Sequence, residues 1–318
     1  WQLDNFDLEL IVGLADSDME FGYDEDWTYA GIHPDGYMSR DNYIRDRETR
    51  SLELRFVSND GSRLFSDTTQ WLFGVYTLSS SESLRRDYTF LASSFHSDYD
   101  FDTAAAFFQL DSALSERLTL ETGLRVERRD TRYSDSQQLG FSPQETLWGG
   151  RVAAKYLLNP DTMAYASIAR GYKAGGFNTD GTLDADLREF GEEFLIEYEL
   201  GIKSKLLENR LHLKAAVFHD DRHEQQVKSS TGRIRDNGST EFIDFIGNAA
   251  EGTNNGVEVE ALWYPTEQLG ITASLGLLDA TFDSFLNSEN QDLSGRDQAH
   301  APGYMAHLAA DYSLGAWS

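Results

Sequence analysis

His219, Asp221 and His223 are spaced two residues apart. On a β-strand that spacing puts all three on one face, and imidazole with carboxylate is a donor set that suits zinc. Side chains two apart on a strand stand about 7 Å from one another, which is long for a shared ion. A solvated strand end running into a polar loop accounts for the same residues. The acidic run from Asp16 to Asp26, densest at Asp24-Glu25-Asp26, offers the hard oxygen donors that Ca2+ takes. Its spacing is not that of an EF-hand loop, and a solvated acidic loop is the plainer reading. Enzymatic chemistry finds little footing. The seven histidines are scattered, no cysteine is present, no G-x-S-x-G elbow occurs, and no phosphate-binding glycine pattern precedes a helix. The chain is therefore not expected to be an enzyme, and no cofactor is expected.

The whole-chain numbers narrow the classes further. The 318 residues carry 27 Lys+Arg against 54 Asp+Glu, a net charge of −27. Phosphate backbones demand about one Lys or Arg per neutralised charge, so nucleic acid is excluded as a partner. Without cysteine there is no disulfide framework and no thiolate ligand. Mean hydropathy is −0.50, and no apolar run reaches the roughly 20 residues that a spanning helix needs.

What repeats is a two-residue alternation. Phe6, Leu8, Leu10, Val12 and Leu14 are apolar, and Asp7 and Glu9 sit between them. Leu118, Leu120, Thr122, Leu124 and Val126 alternate with residues such as Glu121, Arg125 and Glu127. Ile196, Tyr198, Leu200 and Ile202 alternate with Glu197, Glu199, Gly201 and Lys203, and Val257, Val259, Ala261 and Trp263 with Glu258 and Glu260. That is the period of a strand with one apolar face. Short turns at 59–61, 115–117, 159–161, 208–210 and 265–267 alternate with long polar segments at 15–48, 80–101, 132–146, 174–192, 226–251 and 283–302. About twelve strands result, near 1–14, 48–58, 69–80, 102–113, 117–131, 146–158, 162–173, 193–206, 210–225, 253–265, 268–282 and 303–315. Most match the roughly 9–11 residues that cross a bilayer at a tilt. Tight turns at one end, long loops at the other and apolar-out, polar-in alternation together describe a transmembrane β-barrel. Leu8, Leu10, Leu120, Leu124, Ile202, Val217 and Val259 should then all point outward from one curved sheet. Trp71, Tyr156, Tyr165, Trp263 and Tyr264 lie beside the short turns, where an aromatic girdle belongs.

The segment Tyr165-Ala166-Ser167-Ile168-Ala169-Arg170-Gly171-Tyr172-Lys173-Ala174-Gly175-Gly176-Phe177-Asn178 resembles a stretch of TonB-dependent outer-membrane receptors. In family order, Trp71-Leu72-Phe73-Gly74-Val75-Tyr76, Leu118–Glu127, Glu197–Ser204, Gly247–Glu260 and Gly295-Arg296 with Ala301-Pro302 are similar to further pieces. The resemblance implies an all-β, antiparallel barrel of 22 strands, of which this chain, residues 1–318, supplies about twelve. It is read as an internal barrel portion without plug domain or closing strands; a complete barrel of twelve strands is the alternative. The resemblance also implies uptake of a scarce nutrient, a ferric siderophore foremost, across the outer membrane of a Gram-negative bacterium. The TonB complex, acting through the plug, and outer-membrane lipid or lipopolysaccharide are the implied partners. A passive porin and a soluble β-rich surface protein are the competing expectations. Arg170, Tyr172, Lys173, Phe177 and Asn178 would face ligand or plug at the base of a loop; alternatively the glycines provide a sharp strand exit and the rest packs the rim.

Overall fold

The computed structural model describes residues 1–24, 26, 29, 31–32, 38–179, 181, 183–234, 238, 240–287 and 291–314. In chain order the strands are β1 (Phe6–Asp24), β2 (Arg40–Ser58), β3 (Thr69–Tyr88), β4 (Phe95–Ala113), β5 (Leu118–Asp135), β6 (Gly140–Phe141), β7 (Gln144–Asn159), β8 (Thr162–Lys173), β9 (Gly176–Phe177), β10 (Glu189–Phe190), β11 (Glu193–Leu206), β12 (Leu211–Ile234), β13 (Thr240–Thr266), β14 (Leu269–Phe285) and β15 (Tyr304–Tyr312). A 3-10 turn, Ala185–Leu187, lies between β9 and β10. The main sheet runs β1-β2-β3-β4-β5-β7-β8-β11-β12-β13-β14-β15, with β6 paired to β5; β9 and β10 pair only with each other. Every expected strand is present and each pairs antiparallel with its neighbour in the path. β1 and β15 end the sheet and do not pair with each other, so these strands form an open wall.

The register decides which side chains share a face, because directly opposed residues of an antiparallel pair point the same way. One row crosses the sheet as Leu120, Ala154, Ala166, Leu200, Val217, Val257, Leu277 and Tyr304. Another runs Leu8, Phe56, Phe73, Phe108, Leu124. By these pairings all seven residues expected to point outward lie on one face, and Leu10, Leu200 and Val217 are 49%, 60% and 47% exposed. They do not converge on a two-sheet core, which rules out the soluble sandwich. The opposite face carries Glu121, Arg125, Glu127, Glu197, Glu199 and Lys203, as expected for a wet lumen. It is laced with ion pairs: Arg125 to Glu127 at 2.7 Å, Lys214 to Glu260 at 2.8 Å, and Lys155 to Glu121.

Two expectations are corrected. Of the girdle candidates, Trp71, Tyr156 and Trp263 share the outer face with their apolar neighbours, whereas Tyr264, beside Gly270, and Tyr165 turn inward. Tyr165 sits opposite Gly201, and its ring occupies the space a side chain there would need. The second correction concerns length. Much of the polar sequence at 15–48, 80–101, 132–146 and 226–251 is strand: β1 continues to Asp24, β3 to Tyr88, β4 begins at Phe95, and β12 and β13 span 24 and 27 residues. The outer face changes from apolar to polar part-way along seven of the strands, at Leu14/Asp16, Leu52/Arg50, Ala104/Asp102, Val126/Arg128, Ile168/Arg170, Val217/His219 and Leu277/Asp279. On β1 and β5 about nine residues lie below the change, roughly 20 Å of height at 3.3 Å per residue and a 45° tilt. That approaches the apolar band of about 25 Å typical of such barrels. Above it the strands rise as a polar collar. Most fully buried apolar residues, including Leu84, Phe95, Tyr133, Leu147, Ile243, Phe245 and Phe282, lie in this collar and not in the membrane band. Among the described residues no helix is long and apolar enough to cross a membrane; the strands do the crossing.

Candidate functional site

The segment between β8 and β11 folds back against the inner side of the collar. Its anchor is Arg188, which has no exposed surface. The guanidinium donates to Asp135 Oδ2 (2.8 Å), Tyr133 Oη (3.1 Å), Gln137 Oε1 (2.7 Å) and the carbonyl of Leu183 (3.1 Å). This ties the loop to the upper end of β5. Burial, and then the Asp135 carboxylate that accepts from its hydroxyl, push the Tyr133 phenol well above its ordinary range, against the opposing pull of Arg188. On the other side Leu183 packs with Ile243 and Phe245 of β13, and Leu187 closes the cluster.

Phe177 and Asn178 belong to this anchorage. Phe177 stacks on Tyr133 (5.0 Å between centroids, 12° between planes) and meets Tyr99 and Phe141 at 5.6 and 5.5 Å. Asn178, 9% exposed, donates from Nδ2 to the carbonyls of Leu187 (2.8 Å) and Ile246 (2.7 Å) and accepts from the Ile246 amide (2.8 Å). Its side chain thus replaces a strand neighbour for β13, with both amide protons and the amide oxygen engaged.

Arg170 and Tyr172 part company. Arg170 lies against the outer-face rings of Trp148 and Phe194, each 4.3 Å from the guanidinium carbon, and so points away from the lumen. Tyr172 stands opposite outer-face Phe194 in the β8–β11 register, but at the strand's end its ring departs from that alternation and lies over Gly149, where a side chain would collide with it. Its hydroxyl donates to Glu127 Oε2 and accepts from Arg125 Nε, both at 3.1 Å. The Arg125 guanidinium also faces the Tyr76 ring at 5.1 Å. Lys173 is exposed at the last position of β8. Of the five expected residues, then, Tyr172 faces the lumen wall, Lys173 stands at its mouth, Phe177 and Asn178 hold the loop, and Arg170 sits on the outer rim.

His219, Asp221 and His223 do not form one site. The ring of His219 bonds Asn255 Oδ1 at 2.8 Å and Asp221 Oδ1 at 3.2 Å; His223 pairs with Glu251 at 2.9 Å and stacks on Phe194. Among the described residues no group of three His, Cys, Asp or Glu is placed to hold a metal ion. In the acidic run, Asp24 Oδ1 accepts from the Asp26 amide (3.2 Å) and Asp26 Oδ2 from the Ser39 amide (2.7 Å); Glu25 lies outside the described residues.

Sequence reading missed a second buried pair. Asp41, with no exposed surface, takes both Arg86 Nε (2.9 Å) and Nη2 (2.7 Å) and accepts from Tyr23 and Tyr43 hydroxyls at 3.2 and 3.0 Å. It cross-braces β1, β2 and β3 within the collar. The partners are 45 residues apart, and the only local signal is a pair of arginines, Arg85 and Arg86, after a serine-rich run.

An open antiparallel wall with an apolar outer band, a charged inner face and loops pinned at one rim is part of a transmembrane barrel of the outer-membrane type. The family described as TonB dependent receptor-like, beta-barrel matches residues 1–318, and the chain belongs to that family of Gram-negative outer-membrane receptors. It is 28% identical over 222 residues to the pesticin receptor of Yersinia pestis, covering 66% of this chain and 31% of that protein. Its fold superposes on the ferric yersiniabactin uptake receptor FyuA from Yersinia pestis with a TM-score of 0.78 at 21% identity, covering 99% of this chain and 45% of that one. The siderophore receptor PiuA from Acinetobacter baumannii gives 0.70 at 14% identity, covering 98% of this chain and 50% of that one. The chain thus spans about a third of the length of the curated relatives it matches and about half of the solved ones.

Proposed function

We propose that the protein containing this chain is an outer-membrane receptor that takes up a scarce, bulky nutrient, a ferric siderophore foremost, by TonB-dependent active transport. Membership of the receptor family carries this reading. The pesticin receptor and the ferric yersiniabactin uptake receptor support the siderophore class. In this reading residues 1–318 are one portion of the barrel domain. The plug and the remaining strands belong to the rest of the protein, and the TonB complex acts through the plug. Catalysis has no part in it.

The chain's own contribution is the wall and part of the mouth. Tyr172 and Lys173 are the members of the 170–178 stretch placed to meet plug or ligand. Phe177 and Asn178 act on ligand indirectly, by fixing a loop whose outer surface is the capture surface; loops carry binding on a rigid scaffold. The test is uptake of a radiolabelled ferric siderophore panel by cells expressing the full-length receptor, with and without a functional TonB system. Uptake of one panel member only when TonB works is the expected result. Equal uptake in both strains would establish the passive channel instead.

A further inference from the structure

A cavity of about 350 Å3 opens between the 174–192 connection, β13 and the end of β14. Leu187, Phe190, Phe245 and Leu286 give it apolar walls, and Asp186 and Glu189 give it carboxylates. Its walls are fixed on both sides. On one side Arg188 ties the connection to β5, and Asn248 Nδ2 donates to the carbonyls of Gly191 and Glu192 at 3.1 and 3.2 Å. The Phe190 ring lies over Gly176, where a side chain would collide with it. On the other side Leu286 bridges back to Asp292, and the adjacent Phe285 packs with Phe282 and Ala250. The charge is one-sided. No Lys, Arg or His is among the described lining residues. The cations nearby are already taken: Arg188 by Asp135, Arg233 by Asp184 and Lys228 by Asp244. Asp186 and Glu189 are exposed, and neither forms an ion pair among the described residues.

We propose that this cavity binds a protonated primary amine at the end of a short apolar arm of the carried nutrient, with Asp186 and Glu189 on the ammonium and Leu187, Phe190 and Leu286 along the stem. The sign follows from the carboxylates: an anionic group there would meet two like charges and no cation. The apolar stem follows from the walls, and an aromatic face attracts an ammonium as well. Among the described residues no third acidic or imidazole group joins the two carboxylates, so a metal ion is not the occupant. The volume is at the lower end of ligand pockets, so it suits one arm and not a whole bulky nutrient. Because both walls are held before the ligand arrives, little ordering opposes binding. Assigning the arm to the nutrient rests on the receptor reading; the cation site itself does not.

Saturation-transfer NMR on the full-length receptor in detergent, titrated with n-pentylammonium, tests it. So small a cation should bind the wild type in the millimolar range. n-Pentanol and n-valerate, of the same length, should bind about tenfold more weakly or worse, the first for want of charge and the second through repulsion. The double variant Asp186→Asn with Glu189→Gln should bind the ammonium about tenfold more weakly and pentanol as the wild type does. Heat-modifiable gel migration shows whether the variant has folded; if it has not, the three probes on the wild type carry the test. Pentanol or valerate binding as tightly as the ammonium, or unchanged ammonium binding in the folded double variant, would each overturn the proposal. So would TonB-dependent uptake of a panel member that bears no amine. The two readings fail separately: TonB-dependent uptake without ammonium binding removes the cation site alone, and ammonium binding with TonB-independent uptake removes the receptor reading alone.

Discussion

Arg188 concentrates the energetics of the mouth in one buried charge. Its partner Asp135 is equally inaccessible, and four acceptors converge on the guanidinium. Removing the cation strands a desolvated carboxylate, a change that commonly costs about 3–5 kcal/mol. Arg188→Met in the full receptor should therefore free the 174–192 loop, read as new protease cleavage there and a lower unfolding midpoint; an unchanged digest would show that the loop is held elsewhere. Tyr133, in the same cluster, gives a pH signature. Its folded phenol is raised above the ordinary value of 10.0. The associated stability is complete below pH 10 and is lost as pH rises from there through the folded value. The difference in tyrosinate absorbance between wild type and Tyr133→Phe should show an ionisation displaced to the alkaline side of free tyrosine. A transition near pH 10 would mean that the phenol is solvated.

At the scale of elements, the strands obey two constraints in turn. Within the apolar band, side-chain alternation defines them; within the collar, ladder hydrogen bonds and cross-strand ion pairs do, such as Arg45 and Arg47 on Glu82 at 3.0 and 2.7 Å. That is why the sequence reveals the membrane halves of β1–β4 and hides their upper halves: with both faces polar, a period of two leaves no hydropathy signal. The inner face adds a packing rule. Tyr165 lies on Gly201, and Tyr172 on Gly149. Gly201→Val should displace Tyr165 and cost about 1–3 kcal/mol of stability through overpacking. The double variant with Tyr165→Ala should lose less than the sum of the two single losses. Additive losses in urea titrations would deny the contact.

For the whole molecule the decisive property is the direction of the sheet's two faces. Leu200 and Glu199 are neighbours in sequence and face lipid and lumen. Leu200 stands level with Val217, in the upper part of the apolar band, so Leu200→Arg in the reconstituted full receptor should cost roughly 1–2 kcal/mol, between the midplane and interface values for a lipid-facing cation, whereas Glu199→Arg should cost clearly less. Equal losses in bilayer urea titrations would contradict the assignment of faces. The open edges at β1 and β15 carry the same logic: unpaired backbone is not tolerated in hydrocarbon, so the wall is stable only as part of a closed cylinder.

Alternation, turn spacing and the ordered family segments by themselves determined that this chain is an antiparallel barrel wall, which of its alternating aliphatic residues face lipid, and to which family it belongs. These are local properties, written in residues two apart. What only the tertiary structure decided is the fate of the 170–178 stretch. Whether Arg170 faces lipid, Tyr172 the lumen, or Asn178 the backbone of Ile246, 68 residues away, depends on which strands and loops come together. A pattern of period two carries no information about partners at that range. The same holds for Asp41 with Arg86 and Arg188 with Asp135: burial makes these charges pair, and burial is created only once the collar has assembled.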